Sequence, residues 1–333
     1  MDNRLFTAVK RAATVLVVFI ASPAFSAVLY SQNFEVDPTA SWTVNSSPAD
    51  AAADFFFDYS TVGISSAPSS IGTRGMKLQA NQSSGVFGGM SVSPNGQNFG
   101  GSYIVRFDWW ANFNGPFPAG GSGSTQLSTF GVGTSGTVAQ WPGGAQDSIW
   151  FGATGDGNSS SDWRAYSPTV PTRYADTAAG IYAAGAAAGS TNASDPYYAS
   201  LGSNAAPAAQ LALFAQQSGM TLVGSAGMEW HEVEITVGPL NVTWTVDGLL
   251  IATIPVLDDT VNTGTNIFFG HSDTNATSST DPNDGALLFT LIDNIIVSDD
   301  VVMVPEPNTL ALLALSLGGF VFVGRKRRAK VNH

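Results

Sequence analysis

The 333-residue chain contains no cysteine. Disulfide staples, thiolate metal sites and cysteine nucleophiles are therefore excluded, and stability must come from a buried core. Histidine is scarce as well: with His333 at the terminus, only His231 and His271 remain in the body. Neither lies near a Gly-x-Ser-x-Gly elbow, and no paired zinc spacing or phosphate-binding loop is present. Basic residues are the third shortage. Eight of the 13 Lys and Arg sit in the termini, leaving Arg74, Lys77, Arg106, Arg164 and Arg173 against 23 of the 25 acids. The body from Ala27 to Val304 thus has a formal charge of −18, which repels nucleic acid and anionic lipid and excludes both as partners.

Sustained helical periodicity is also missing, except in Asn204–Gly219, where good helix formers follow Pro207 and end at Gly219. That stretch belongs to an Ala/Gly/Ser-rich insertion, about 178–227, expected to leave the domain at one rim and to hold one short helix. What is present instead is a series of short segments rich in Val, Ile, Phe, Tyr, Trp and Thr. They include Val28–Phe34, Tyr103–Phe113, Gln126–Val132, Asn266–Phe269 and Leu287–Val297, separated by Gly, Ser, Asn and Pro. Many short strands with turn signals between them predict an all-β antiparallel sandwich. The pattern is clearest in Glu229–Val256. Val233, Ile235 and Val237 alternate with Glu232, Glu234 and Thr236, and Asp247-Gly248 predicts a type I′ hairpin.

The two ends read differently. Arg4, Lys10 and Arg11 precede the apolar run 12–21, and Ala24 and Ser26 supply small residues before Ala27. This three-part order predicts a signal peptide over 1–26, with a signal helix and cleavage by signal peptidase between Ser26 and Ala27. The expected domain organisation is then 1–26 signal peptide, 27–300 sandwich and 304–330 a C-terminal signal containing a hydrophobic helix. In that tail, Val304-Pro305-Glu306-Pro307 is followed by the apolar run 310–323 and by Arg325-Lys326-Arg327-Arg328. Fourteen helical residues cover about 21 Å, short of the ~30 Å hydrocarbon core, so the run engages the inner membrane only transiently. The basic cluster stays on the cytoplasmic side.

Several stretches resemble the C-terminal half of concanavalin A-like (laminin G-like) jelly-roll domains. They are Trp230-His231-x-Val-x-Ile, Trp244-Thr-Val-Asp247-Gly248, Phe269-Gly270-His-Ser-Asp273 and Ile292-Asp293-Asn294-Ile-Ile-Val297. The opening Gln32-Asn33-Phe34-Glu35 with Ser41-Trp42 is similar to the first strand of bacterial members. The resemblance implies a jelly-roll fold but not a function, since lectins, glycosidases and adhesive modules share it. The tail resembles the PEP-CTERM sorting signal of Gram-negative bacteria, a segment type also described as an ice-binding protein C-terminal domain. That resemblance implies recognition by an exosortase, processing near Pro-Glu-Pro, and association with surface polysaccharide or biofilm matrix. No regular Thr-x-Thr ladder supports ice binding.

Candidate chemistry is sparse. Laminarinase-like members of the fold carry acids in the order Glu-x-Asp-x-Glu on one strand. Here Glu232 and Glu234 share a face while Glu229 has the opposite parity, as on any solvated strand. No catalytic residue is assigned. The loop after Phe269 concentrates oxygen ligands at Asp273, Asn275, Asp281, Asn283 and Asp284, a composition that suits calcium, although its spacing fits no EF-hand. Asp and Asn are also ordinary turn residues. Trp109, Trp110, Trp141, Trp150 and Trp163 are candidate sugar platforms, and adjacent Trp109 and Trp110 must face opposite sides of a strand. The expected function is a non-enzymatic exported surface or matrix protein, requiring no cofactor. A lectin, with or without calcium, is the alternative, and a glycoside hydrolase the remote one.

Overall fold

Alternating β-formers produce fourteen strands among the residues that the computed structural model describes, which are 26–46, 50–256 and 264–299. The expected signal peptide, up to Phe25, and the tail from residue 300 lie outside them. No helix within the described residues is long and apolar enough to cross a membrane. The strands are β1 (Val28–Gln32), β2 (Trp42–Ser46), β3 (Ala52–Asp58), β4 (Arg74–Gln79) and β5 (Gly89–Pro94). There follow β6 (Tyr103–Asn112), β7 (Gln126–Thr134), β8 (Ile149–Ala153) and β9 (Trp163–Tyr166). The last five are β10 (Trp230–Val237), β11 (Asn241–Val246), β12 (Leu249–Pro255), β13 (Asn266–Asp273) and β14 (Phe289–Asp299).

They form two antiparallel sheets. Sheet A runs β12-β11-β10-β6-β14-β4-β3, with β1 also paired to β14, and sheet B runs β2-β5-β13-β7-β8-β9. The all-β sandwich read from the sequence is therefore the fold. The meander β10-β11-β12 is as expected, and Asp247 and Gly248 take φ of 50° and 75°, as a type I′ turn demands. Two strands, β2 and β9, lie in segments too short or too mixed to be read in advance.

The period of two decides what the sheets bury. Tyr103, Val105, Phe107 and Trp109 point between the sheets, where Phe107 packs on Phe130 and Phe269 at 5.2 and 4.9 Å and Trp244 stacks on Phe151. Trp110 faces the other way, as parity requires. It is buried all the same, because a second cluster covers the outside of sheet A. Tyr59, Val62 and Ile64 lie there against Trp230, Phe113, Phe117 and Leu291. The outside of sheet B is also clothed. Trp150 lies parallel to Tyr166 at 3.6 Å, with Leu127 and Phe268 beside them, and Gln146 accepts from the indole N–H. Gly131 and Gly152 make room for this layer, since a Cβ on Gly131 would meet Trp150 and one on Gly152 would meet Leu127.

The insertion does not leave the domain at a rim. Trp163 at the start of β9 donates its N–H to the Thr191 carbonyl of the insertion, while Ala183 donates to Ile251 and Thr253 to Ile181 on the β12 side. It therefore bridges the edge strands of both sheets and closes one flank of the sandwich. Tyr182, Tyr198 and Leu201 enter the central core, which explains why a low-complexity stretch holds its position. Its helix α1 (Ala208–Leu213) is shorter than the sequence implies, six residues starting after Pro207. A one-turn helix α2 (Asp284–Leu287) precedes β14.

Candidate functional site

The most developed site lies where β14 changes partners. Its first part pairs with β4 through Thr290–Ile292, and its second with β1 through Ile295–Ser298. Between them the register against β6 slips from Asp293 to Ile296, and Asn294 takes φ of 50°. An extra residue at such a bulge re-aims its neighbours. Here it turns Asn294 onto the outer face of sheet A, beside Asp293 and its cross-strand neighbour Asp108.

These groups form one network. The Asn294 Nδ2 donates to Asp108 Oδ2 at 2.6 Å, and the Ser69 N–H reaches the same oxygen at 3.4 Å. The Asn294 N–H donates to Asp293 Oδ1 at 2.7 Å, and the Tyr59 hydroxyl to Asp293 Oδ2 at 3.1 Å. Tyr59 accepts in turn from the Ala67 N–H. Asp293 has no exposed surface, and burial pushes its carboxyl from 3.8 up to about 7, with the Asp108 charge adding to the rise. Burial also raises Asp108, against the lowering bond from Asn294.

Beside the network opens a cleft of about 360 Å³, lined by Ser31, Gln32, Asn33, Ser69, Asn294 and Ile296. Amides and hydroxyls share its wall with Ile295 and Ile296, the carboxylate of Asp108 is bonded to two of the lining residues, and Ile71 stands 93% exposed on the loop that carries Ser69. Such a surface offers both donors and acceptors, which suits a neutral, hydroxyl-rich ligand. Neither Asp108 nor Asp293 was singled out from the sequence. The signal was there: each is an acid beside large apolar residues within a strand, at the outward parity. Their adjacency depends on strand register and on the bulge.

The acids that the sequence did single out are placed elsewhere. Glu232 is exposed on the outer face of sheet A, and Glu234 pairs with Arg106 at 2.6 Å. His231 lies between two acceptors, Asp247 Oδ2 at 2.6 Å and the Ala226 carbonyl at 3.0 Å, tying β10 to the hairpin tip. His271 is fully buried between the Thr290 hydroxyl and Gln126 Oε1, and burial lowers it to about 3, so it is neutral. Of the five oxygen-ligand candidates, Asp273 completes β13 instead of lying in a loop. Asn275 Oδ1 accepts from the Thr277 N–H, and Asp281 Oδ1 from Asn283. Asp284 Oδ1 accepts from Asn114, and burial raises it to about 6. The loop oxygens are thus largely taken by local donors. Among the described residues no three His, Cys, Asp or Glu side chains gather as a metal-binding group. Trp109, Trp110, Trp150 and Trp163 are core residues. Trp141 alone of the five is partly exposed, edge-on to Phe87 at 5.3 Å. Ser26 and Ala27 stand at the start of β1, where Asp299 bonds the Ala27 backbone. Val304, Pro305, Glu306, Pro307 and Arg325, Lys326, Arg327, Arg328 lie outside the described residues.

Fold and site define a two-sheet antiparallel sandwich with a cleft of mixed polar and apolar lining on its outer face. Residues 304–328 match the PEP-CTERM protein-sorting motif, so the chain carries a sorting signal that implies export, transit through the membrane and processing by an exosortase. No curated protein matches the sequence. Solved structures similar in fold include a Bacillus subtilis protein of unknown function with a galectin-like fold, at 10% identity and TM-score 0.46, covering 82% of this chain and 96% of that one. The carbohydrate recognition domain of Emp47p is 10% identical, at TM-score 0.39, covering 84% and 100%. A Bacillus licheniformis β-glucanase is 12% identical, at TM-score 0.36, covering 84% and 100%. Likenesses this distant carry no information about activity.

Proposed function

We propose that this is a non-enzymatic protein, exported and sorted by exosortase to the cell surface or extracellular matrix, where its sandwich binds polysaccharide at the β14 cleft. Signal peptidase would release the chain at Ala27, and the 310–323 run would hold it in the inner membrane until exosortase acts near Pro305-Glu306-Pro307. The match of residues 304–328 to the sorting motif supports the route. The observation that carries the binding reading is the cleft, in which Asn294, Asn33, Gln32, Ser31 and Ser69 converge beside Asp108. Sugar hydroxyls both donate and accept, and a mixed amide, hydroxyl and carboxylate wall answers both roles.

The test is a binding screen of the exported chain against surface polysaccharides of bacterial origin, with Asn294→Ala and Ser69→Ala as cleft variants. Binding weakened about tenfold or more by either variant, as expected for a lost charge-assisted hydrogen bond or lost wall contact, supports the reading. Absence of binding to every polysaccharide, or binding indifferent to both variants, sinks it. The raised carboxyl of Asp293 next to Asp108 gives a hydrolase its one supporting observation. Asp293 is capped by Tyr59 and has no exposed surface, so it cannot reach a substrate in this conformation. Release of reducing sugar from a bound polysaccharide would favour the hydrolase.

A further inference from the structure

The wall of the β14 cleft suits hydroxyls, and the charge around it selects among the chains that carry them. In the register of sheet A, Glu232 on β10 stands opposite Asp108 on β6, and Asp108 opposite Asp293 on β14. All three have outward parity. The row therefore crosses three neighbouring strands, about 4.8 Å apart, and ends at the Asn294 bulge in the cleft wall. Glu35 follows closely on Asn33, another lining residue, and reaches the loop that carries Ser69. Its Oε1 accepts from the Arg74 N–H at 3.3 Å, and a Cβ on Gly72 would lie 2.1 Å from its Oε2. Carboxylates directly opposite on adjacent strands repel one another, and partial burial strengthens the repulsion. No basic side chain among the described residues forms an ion pair with Glu232, Asp108, Asp293 or Glu35. Arg106, across from Ile296, is committed to Glu234 at 2.6 Å. Arg74 donates to the Phe56 carbonyl and lies 4.0 Å from Asp58. His231 is held by Asp247 and the Ala226 carbonyl. Both donors to Asp108 reach Oδ2, so its Oδ1 has no donor among the described residues.

We infer that the ligand of the β14 cleft is a cationic polysaccharide, one whose sugar units carry free amino groups. The inference rests on the polysaccharide reading of the cleft and narrows it to one chemical class. An ammonium group beside this row supplies the counter-charge that the chain withholds. Its hydrogen bonds to carboxylate oxygens are charge-assisted, about twice as strong as those of a neutral hydroxyl. The Asn, Gln and Ser groups of the wall remain for the hydroxyls of the same chain, and the exposed Ile71 and Ile296 offer apolar surface to the C–H faces of its rings. The same field repels uronate or sulfated chains, as does the net charge of the body. Glu232 thus takes a part that strand parity alone does not suggest: it is the exposed end of an acidic row that leads to the cleft.

Calorimetric titration of the exported chain with oligosaccharides of glucosamine, N-acetylglucosamine and glucuronic acid, matched in length, tests it. The expected result is that the glucosamine oligomer binds about tenfold or more tightly than its N-acetylated counterpart, with the glucuronic acid oligomer weakest. That lead should shrink as salt rises, because the attraction is screened. Asp108→Asn and Glu35→Gln should each weaken the glucosamine oligomer about threefold or more and narrow its lead over the N-acetylated one. Glu35 is only half-buried, so its variant carries the test if Asp108→Asn does not fold. Equal binding of the amino and N-acetylated oligomers, weakened by Asn294→Ala, overturns this inference and leaves the cleft as the polysaccharide site. A lead for the glucosamine oligomer that survives both charge substitutions also overturns it, since the cation then sits elsewhere on the acidic surface. Binding of none of the oligomers overturns the inference and counts against the polysaccharide reading as well.

Discussion

Replacing Asp293 by asparagine should stabilise the protein, and by more at high pH than at low. In the folded chain the carboxyl is buried under Tyr59 and held at about 7, against 3.8 in water. The folded pKa is raised, so below about pH 4 both states hold the proton and nothing is lost. Between 4 and 7 the folded state keeps a proton that the unfolded state releases. Stability then falls by about 1.36 kcal/mol per pH unit, and the full cost is present above 7. The ceiling on that cost is on the order of 4 kcal/mol at pH 8 and about 1.6 kcal/mol at pH 5. Asparagine has nearly the same shape and no charge to bury. Its Oδ1 can still accept from the Asn294 N–H, and its Nδ2 can donate to Tyr59, whose own proton then goes to the Gly72 carbonyl at 3.2 Å. Urea denaturation followed by tryptophan fluorescence, at pH 5 and pH 8, measures the difference. A gain for Asp293→Asn that grows between the two pH values is the expected outcome. A loss, or a difference indifferent to pH, would show that Asp293 is ionised without cost and would refute this account of its environment.

Two other outcomes follow from the same structure. Gly131→Ala should destabilise by about 1–3 kcal/mol or more, because the new Cβ would lie 2.4 Å from the Trp150 Cβ and 2.5 Å from the Ile149 carbonyl oxygen, read as a lowered urea midpoint. Alanine at Pro305, Glu306 and Pro307 together should block tail processing and leave a product larger by the 304–333 segment on an immunoblot. Normal processing of that variant would contradict the sorting role of the motif.

Much of the architecture was legible because it depends on local pattern. The alternation in Glu232–Val237, the Asp247-Gly248 turn and the adjacent Trp109 and Trp110 each carry a parity that backbone geometry must obey. What parity could not reveal is whether an outward residue meets water. Trp110 faces outward and is still buried, because Tyr59–Ile64 and Phe113–Phe117 fold over it. Cover of this kind comes from segments far away in the chain, as does the closure of one flank by the insertion between β9 and β12.

The candidate sites divide in the same way. The sorting motif is a contiguous string read by another enzyme, so residue order alone specifies it, as does the charge imbalance that rules out nucleic acid. A binding site on a sandwich is instead assembled across strands. Asp108 and Asp293 are 185 positions apart and become neighbours only through the β6–β14 register. Sequence therefore determined the address, the strand count to within two and the acidic surface, because these rest on local order and composition. Tertiary structure decided which acids are buried, which pair and which line a cleft, because desolvation and proximity exist only after distant strands have met.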